Sequence, residues 1–166
     1  MEEILDTSEA LKAAFRRHAS GVCLITLNDP EGQPVGFTAT SVTSLGSTPA
    51  LATFNVARGA SSWRALKDAK YVAISMLNEN SLSLAKKMAA DHTKRFLDDD
   101  WFREDTHSLP IFGEVNAVLI CRVREYHEVE ANAVFVVEIE KGLIAEEFAS
   151  LLYHQRGYVV PGKRLD

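Results

Sequence analysis

The chain has 166 residues, of which 46% are hydrophobic and 25% charged, and a net charge of −5. That length fits one domain, residues 1–166, with room for a real core, and the composition is that of a soluble globular protein. The acidic balance argues against nucleic acid, whose phosphates call for clustered Lys and Arg. No apolar run reaches the roughly 18 residues that span a bilayer, and Met1-Glu2-Glu3 opens acidic, so no membrane segment or secretory signal is expected and the cytoplasm is the expected compartment.

Asp6 with Glu9 three residues on reads as a helix-starting capping box, after which Leu11, Ala14, Phe15 and His18 fall on one face. His18 reads as a partner for the helix C-terminus or a packed edge residue, and Gly21 as the stop. Residues 22–27 form a strand apolar on both faces. Asn28-Asp29-Pro30-Glu31-Gly32 is a turn, and a hairpin returns through residues 35–42. Residues 45–49 predict a second turn, residues 51–56 the next strand, and residues 61–68 a short helix. Residues 71–77 carry little polar character and predict a central, buried strand. Asn80 predicts the cap of a helix with Leu84, Ala85 and Met88 on one face.

Residues 91–110 are charged and without period, with an acidic run at Asp98-Asp99-Asp100, and predict a long surface loop of the kind that covers a site. Residues 117–126 and 133–140 are two more strands. In the second, Phe135, Val137 and Ile139 face one way and Glu138 and Glu140 the other. Cys23 and Cys121 sit in apolar runs and read as buried, reduced thiols, and the five histidines show no metal-ligand spacing. Hairpin-like strands with three short helices and no βαβ rhythm predict a mainly β, antiparallel Greek-key barrel.

Two stretches stand out as a cradle. Gly36-Phe37-Thr38-Ala39-Thr40-Ser41 is hydroxyl-rich between apolar runs, and the strand through Asn55 breaks at Arg58-Gly59 before Ser61-Ser62. A helix start offers unpaired N–H groups, and nearby hydroxyls add donors, which together suit a phosphate. Ser-capped turns are also ordinary structural punctuation, so the pattern alone leaves both readings open.

With these pieces in order the chain resembles the flavin reductase family, the small reductase components of two-component flavin-dependent monooxygenases. The resemblance runs from about residue 11 to residue 158. It is carried by Phe15-Arg16-Arg17-His18-Ala19-Ser20-Gly21-Val22, the Gly36–Ser41 segment, Asn55 with Ser61-Ser62, Lys94-Arg95-Phe96, residues 110–123 and Leu151-Leu152-Tyr153-His154-Gln155-Arg156-Gly157-Tyr158. It implies a split β-barrel that binds FMN or FAD, a homodimer, NADH or NADPH as co-substrate, and a separate oxygenase component as partner. By position it implies Thr38, Ala39, Thr40 and Ser41 along the flavin ring and ribityl chain, Asn55 at the ribityl or ring edge, and Ser61 and Ser62 at the phosphate. Arg95 and Phe96 would close over the flavin tail.

Many relatives carry a His-containing pair where this chain has Ala131-Asn132, so Asn132 would offer a hydrogen bond but no titratable charge beside the nicotinamide. His154 is the other candidate near the reaction. The chemistry so implied is hydride transfer between cofactors, which needs no side-chain nucleophile and no metal. No Gly-x-Gly-x-x-Gly fingerprint is present, so the nicotinamide cofactor would not sit on a Rossmann fold. Two competing expectations are a non-catalytic FMN-binding split barrel, a carrier or sensor, and an oxidase on the related pyridoxamine-phosphate-oxidase barrel.

Overall fold

The computed structural model describes residues 3–98 and 100–165. Met1 and Glu2 of the acidic opening, Asp99 in the acidic run and Asp166 lie outside the described residues. In chain order the elements are α1 (Thr7–Arg16), β1 (Ser20–Gly21), β2 (Cys23–Asn28), β3 (Pro34–Ala39), β4 (Thr43–Ser47), β5 (Ala50–Ala57), α2 (Trp63–Leu66) and β6 (Tyr71–Met76). Then follow α3 (Leu82–Ala89), β7 (Trp101–Arg103), β8 (Pro110–Phe112), β9 (Ala117–Val129), β10 (Asn132–Ile144), β11 (Leu152–His154) and β12 (Gly157–Val159).

Seven strands form one antiparallel sheet in the order β3-β2-β6-β9-β10-β5-β4. The sheet curls until its two sides approach each other. Ser41, just past β3, accepts a 2.9 Å bond from the Asn55 N–H of β5, and the Phe37 and Phe54 rings lie 6.4 Å apart. No ladder joins β3 to β5 or to β4 there, so the barrel stays split along that seam. The residues inside the curl make one core. Phe54 and Phe135 are directly paired across β5 and β10 and stack at 5.2 Å, with Tyr126 of β9 stacked on Phe135 at 5.0 Å. Fully burying each Phe contributes about 1.5–3 kcal/mol, and each favourable ring pair adds about 0.5–1.5 kcal/mol.

A second core lies outside the curl, where α3 and the β7–β8 hairpin cover β2 and β6. This explains why β2 is apolar on both faces. Cys23, Ile25 and Leu27 point into the barrel, while Val22 and Leu24 point at α3 and β8. β6 is central, between β2 and β9, as its composition requires. Leu84, Ala85 and Met88 are the buried stripe of α3. Cys23 and Cys121 are free and buried, and burial pushes both thiols up to about 12.

Several local expectations are corrected. The Asp6 carboxylate does cap α1, accepting from the Glu9 N–H at 2.9 Å, but Glu9 turns to Lys12 instead of completing the box. The helix ends at Arg16, and Gly21 already belongs to β1. Asn80 does not cap α3: it lies inside a 3₁₀ turn, Glu79–Ser81, that Asn78 caps by accepting from the Asn80 N–H at 3.0 Å. The N-cap of α3 is Ser81, without a side-chain cap bond. Of the turn expected over residues 45–49, residues 45–47 belong to the edge strand β4. Every residue of β4 is exposed, so no apolar alternation marks it. Residues 91–110 are not structureless: they contain a short 3₁₀ turn and the β7–β8 hairpin begins there. No helix among the described residues is long and apolar enough to cross a membrane.

Candidate functional site

A cleft of about 460 Å³ opens at the split seam of the barrel. Phe37, Thr38, Ala39, Thr40 and Ser41 form one wall, and Asn55, Val56, Ala57, Ala60, Ser61 and Ser62 the facing one. Met88, Ala89 and Arg95 close it from α3 and the loop behind. Eight of the residues singled out in the sequence for cofactor binding therefore meet in one place: Thr38, Ala39, Thr40, Ser41, Asn55, Ser61, Ser62 and Arg95.

Their roles divide by what the fold already uses. Thr38 donates its hydroxyl to the Ala85 carbonyl at 3.0 Å and so ties β3 to α3. Ser41 spends its hydroxyl on Asn55, holding the seam. Thr40 and the Asn55 side chain are exposed and uncommitted. The apolar lining comes from Phe37, Ala39, Val56 and Met88, and Met88 is fully buried.

The predicted helix over residues 61–68 is shorter than expected. After β5 the chain makes two successive turns, with Ala60 N–H to Ala57 O at 3.0 Å and Trp63 N–H to Ala60 O at 3.0 Å. Only the single turn of α2 follows, and Ser62 makes no side-chain cap bond. A helix of four residues has little macrodipole, so the anion-binding capacity here comes from hydroxyls and a guanidinium. The Ser62 side chain is buried at 1% exposure, and its Oγ has no hydrogen-bond partner.

Arg95 approaches from the other side. Asp91 starts a 3₁₀ turn by accepting from the Thr93 N–H at 3.0 Å, which swings residue 95 back toward β3. Arg95 Nη1 then donates to Gly36 O at 2.7 Å and Nη2 to Ala90 O at 2.8 Å. Its Nε is buried and unpartnered. Burial lowers the Arg95 pKa from its ordinary value, and the nearby Asp91 charge partly offsets this. An arginine so placed stays cationic at neutral pH. The lack of a side chain at Gly36 leaves room for its neighbours: a Cβ there would stand 2.6 Å from Met88 Cε, 2.9 Å from Thr26 Cγ2 and 3.1 Å from Phe96 Cζ.

Among the described residues, only Ser62 Oγ, Ser75 Oγ and Arg95 Nε are buried polar side-chain atoms without a partner. Two of these three line the same cleft. Leaving such groups unmatched costs about 1–3 kcal/mol each. A hydroxyl and a guanidinium N–H on residues that line one cleft suit an oxyanion with several acceptor oxygens, such as a phosphate, which a flavin nucleotide carries.

Three predicted residues are placed differently. Phe96 does not line the cleft. It packs into the outer core against Trp101 at 5.5 Å and Phe112 at 6.0 Å, and so anchors the loop that presents Arg95. Asn132 is exposed at the start of β10, directly across from Ala57, and its register puts it on the face shared by Asn55 and Ala57. It lies next to the cleft without lining it. His154 lies in a separate groove with Phe15, Arg16, His18 and Arg156, and that groove shares no residue with the cleft of the same chain. Met88 and Ala89 are lining residues that sequence reasoning missed; Met88 read only as part of the buried face of a helix. Among the described residues no group of three or more His, Cys, Asp or Glu is placed to hold a metal ion.

The sequence model of the flavin reductase like domain matches residues 15–161. An NADH:FMN oxidoreductase of Rhodococcus erythropolis is 35% identical over 90% of this chain and 80% of its own length. The reductase component of a flavin-dependent trigonelline monooxygenase from Acinetobacter baylyi is 28% identical over 92% of this chain, which spans about half (49%) of that protein. The crystal structure of a flavin reductase domain protein from Arthrobacter sp. FB24 superposes with a TM-score of 0.90 at 39% identity, covering 95% of this chain and 97% of that one. This chain belongs to the flavin reductase like domain family.

Proposed function

We propose that this family member is an NAD(P)H-dependent flavin reductase, acting as a single domain, that reduces FMN or FAD and supplies it to a separate oxygenase component. The observation that carries the reading is the pair of buried, unpartnered polar atoms, Ser62 Oγ and Arg95 Nε, in one cleft with an apolar lining. A flavin has that dual demand, a flat apolar ring system with a charged phosphate tail. When bound, the flavin accepts the hydride of the nicotinamide, so the protein need only bind, orient and shield.

In this reading Ser61, Ser62 and Arg95 hold the phosphate. Phe37, Ala39, Val56 and Met88 take the apolar ring surface, and Thr40 and Asn55 supply free polar groups for the ribityl chain or ring edge. Thr38 and Ser41 contribute by setting the shape of the wall, since their hydroxyls are already bonded. Asn132, across from Ala57 and beside the cleft, would in this reading offer the nicotinamide a hydrogen bond that does not titrate. His154 has no part in the cleft of its own chain.

A homodimer is part of the proposal. None of the α1 residues is buried, yet Leu11 is 59% and Phe15 65% exposed on its apolar face. An amphipathic helix without a partner in its own chain fits one that packs on a second copy. Light scattering that finds a monomer at micromolar concentration, with full activity, would remove that part.

The activity test mixes the purified chain with FMN or FAD and NADH or NADPH and follows loss of the reduced nicotinamide absorbance. Catalysed oxidation that depends on flavin is the expected result. Flavin binding without nicotinamide oxidation would instead identify a carrier or sensor.

A further inference from the structure

The turn that carries Ser61 and Ser62 is fastened from outside the cleft by one residue. Arg58 follows β5 directly, and its backbone N–H donates to Ala131 O at 2.8 Å. Its Nη1 donates to Glu130 O at 2.9 Å, and its Nη2 pairs with Glu128 Oε2 at 2.9 Å. The guanidinium also lies 5.7 Å from the centre of the Trp63 ring. Trp63 in turn packs edge-on against Tyr126 at 5.8 Å and Phe135 at 6.3 Å, so the clasp reaches the aromatic core. Both ends of the 58–63 turn are thereby fixed to the β9–β10 hairpin, while Ala57, Ala60, Ser61 and Ser62 face the cleft.

We propose that Arg58 is a positioning residue for the flavin phosphate, holding the turn so that Ser61 and Ser62 meet the anion while its own guanidinium stays on the hairpin. The inference rests on the phosphate reading of the cleft given above. Within the turn, Ala60 N–H bonds Ala57 O and Trp63 N–H bonds Ala60 O, and Ser62 O accepts from Leu66 N–H at 2.9 Å. Neither residue 59 nor residue 61 takes part in these backbone bonds, and Gly59 has nothing within 4 Å of the position of a Cβ. Each residue left loose there must be ordered when the anion binds, which weakens binding. Arginine suits the clasp because its planar fork reaches a carbonyl and a carboxylate at once while its face lies on an indole, and lysine cannot reproduce that set. The Arg58–Glu128 pair is about two-fifths exposed on each side, with side-chain values of 41% and 42%, so it adds little to overall stability. Its effect is geometric.

The test titrates FMN and riboflavin, which lacks the phosphate, into the purified full chain by flavin fluorescence. Arg58→Ala is expected to weaken FMN about tenfold, the cost of ordering one or two residues, with riboflavin nearly unchanged. Arg58→Lys should fall between, with a melting temperature close to that of the starting protein. Glu128→Gln gives a sign. A guanidinium that touches the phosphate itself would bind FMN more tightly once freed from Glu128, whereas one that positions the turn will bind it less tightly. Equal loss for both ligands, no loss for either, or tighter FMN binding by Glu128→Gln would overturn the positioning role. Ser62→Ala and Arg95→Ala are run alongside. If they too leave the FMN-to-riboflavin ratio fixed, the phosphate reading falls and Arg58 with it; if only Arg58→Ala leaves it fixed, the positioning role alone is lost. Should Arg58→Ala fail to fold, Arg58→Lys and Glu128→Gln decide.

Discussion

Two places outside the sheet, the β7–β8 turn and the cleft, bury polar groups, and they do so in opposite ways. In the β7–β8 turn the Glu104 residue is 5% exposed, and its carboxylate accepts the N–H groups of Thr106 at 2.7 Å, His107 and Leu109 at 3.3 Å. His107 then stacks on Tyr71 at 3.6 Å and meets Glu140 at 3.0 Å, so that turn is complete within the chain. In the cleft, Ser62 Oγ and Arg95 Nε are buried with no partner. The first arrangement stabilises the fold; the second costs stability, and under the proposed function a bound phosphate offsets that cost. The Glu104 carboxylate finds its partners within one turn, whereas Ser62 and Arg95, brought to one cleft from two separate loops, leave a hydroxyl and an N–H unmatched.

Substitutions in the two places should therefore separate binding from stability. The largest effect is expected from Arg95→Ala, which should weaken FMN by roughly 10- to 100-fold, since a hydrogen bond to a charged group is worth about 1.5–3 kcal/mol. Ser62→Ala should follow in the same direction, yet leave the melting temperature unchanged or higher, because it removes an unmatched buried hydroxyl. A drop in melting temperature with Ser62→Ala would show that the hydroxyl is structural and blunt the contrast.

Glu104→Ala should do the reverse. Its expected cost is about 1–3 kcal/mol in denaturant unfolding, with FMN affinity unchanged. Burial pushes the Glu104 carboxyl up, but the N–H bonds of Thr106, His107 and Leu109 together outweigh that and hold it below the usual glutamate value. Its unfolded value, about 4.3, thus lies above the folded one, so its contribution is complete above that pH and is lost as pH falls through the folded value. Acid unfolding curves of the parent protein and Glu104→Gln should converge at low pH, and parallel curves would assign the acid sensitivity elsewhere.

Ser75 provides a finer control. Its Oγ is the third unmatched buried atom, but its cross-strand neighbours are Leu24 and Val118 of the outer core. Ser75→Ala should gain up to about 1 kcal/mol and leave flavin binding alone. The smallest effect is expected at Asn132. Asn132→Ala should raise KM for the nicotinamide cofactor or lower turnover, with flavin affinity nearly unchanged, and Asn132→His should add an ionisation near pH 6.5 to the rate profile. Kinetics untouched by either would leave Asn132 as the first residue of β10 and nothing more.

Much of this was legible in the amino-acid order because it is local. Alternation in residues 133–140, the apolar runs of β2 and β6, and the α3 stripe of Leu84, Ala85 and Met88 all follow from side-chain period, which needs no knowledge of partners. The hydroxyl-rich stretch Thr38 to Ser41 and the segment that breaks at Arg58-Gly59 supply the two facing walls of one cleft. What tertiary structure decided was which of those groups are spent. Thr38 and Ser41 carry the same hydroxyls as Thr40 and Ser62, but a neighbouring carbonyl and a β5 amide consume the first two. Phe96 and Arg95 are adjacent in the chain, yet packing turns one into the core and leaves the other on the cleft. His154 reads as a site residue, and the β1-β11-β12 sheet puts it in another groove. Residue type states what a group can bond, whereas only the folded neighbours state whether that bond is already made.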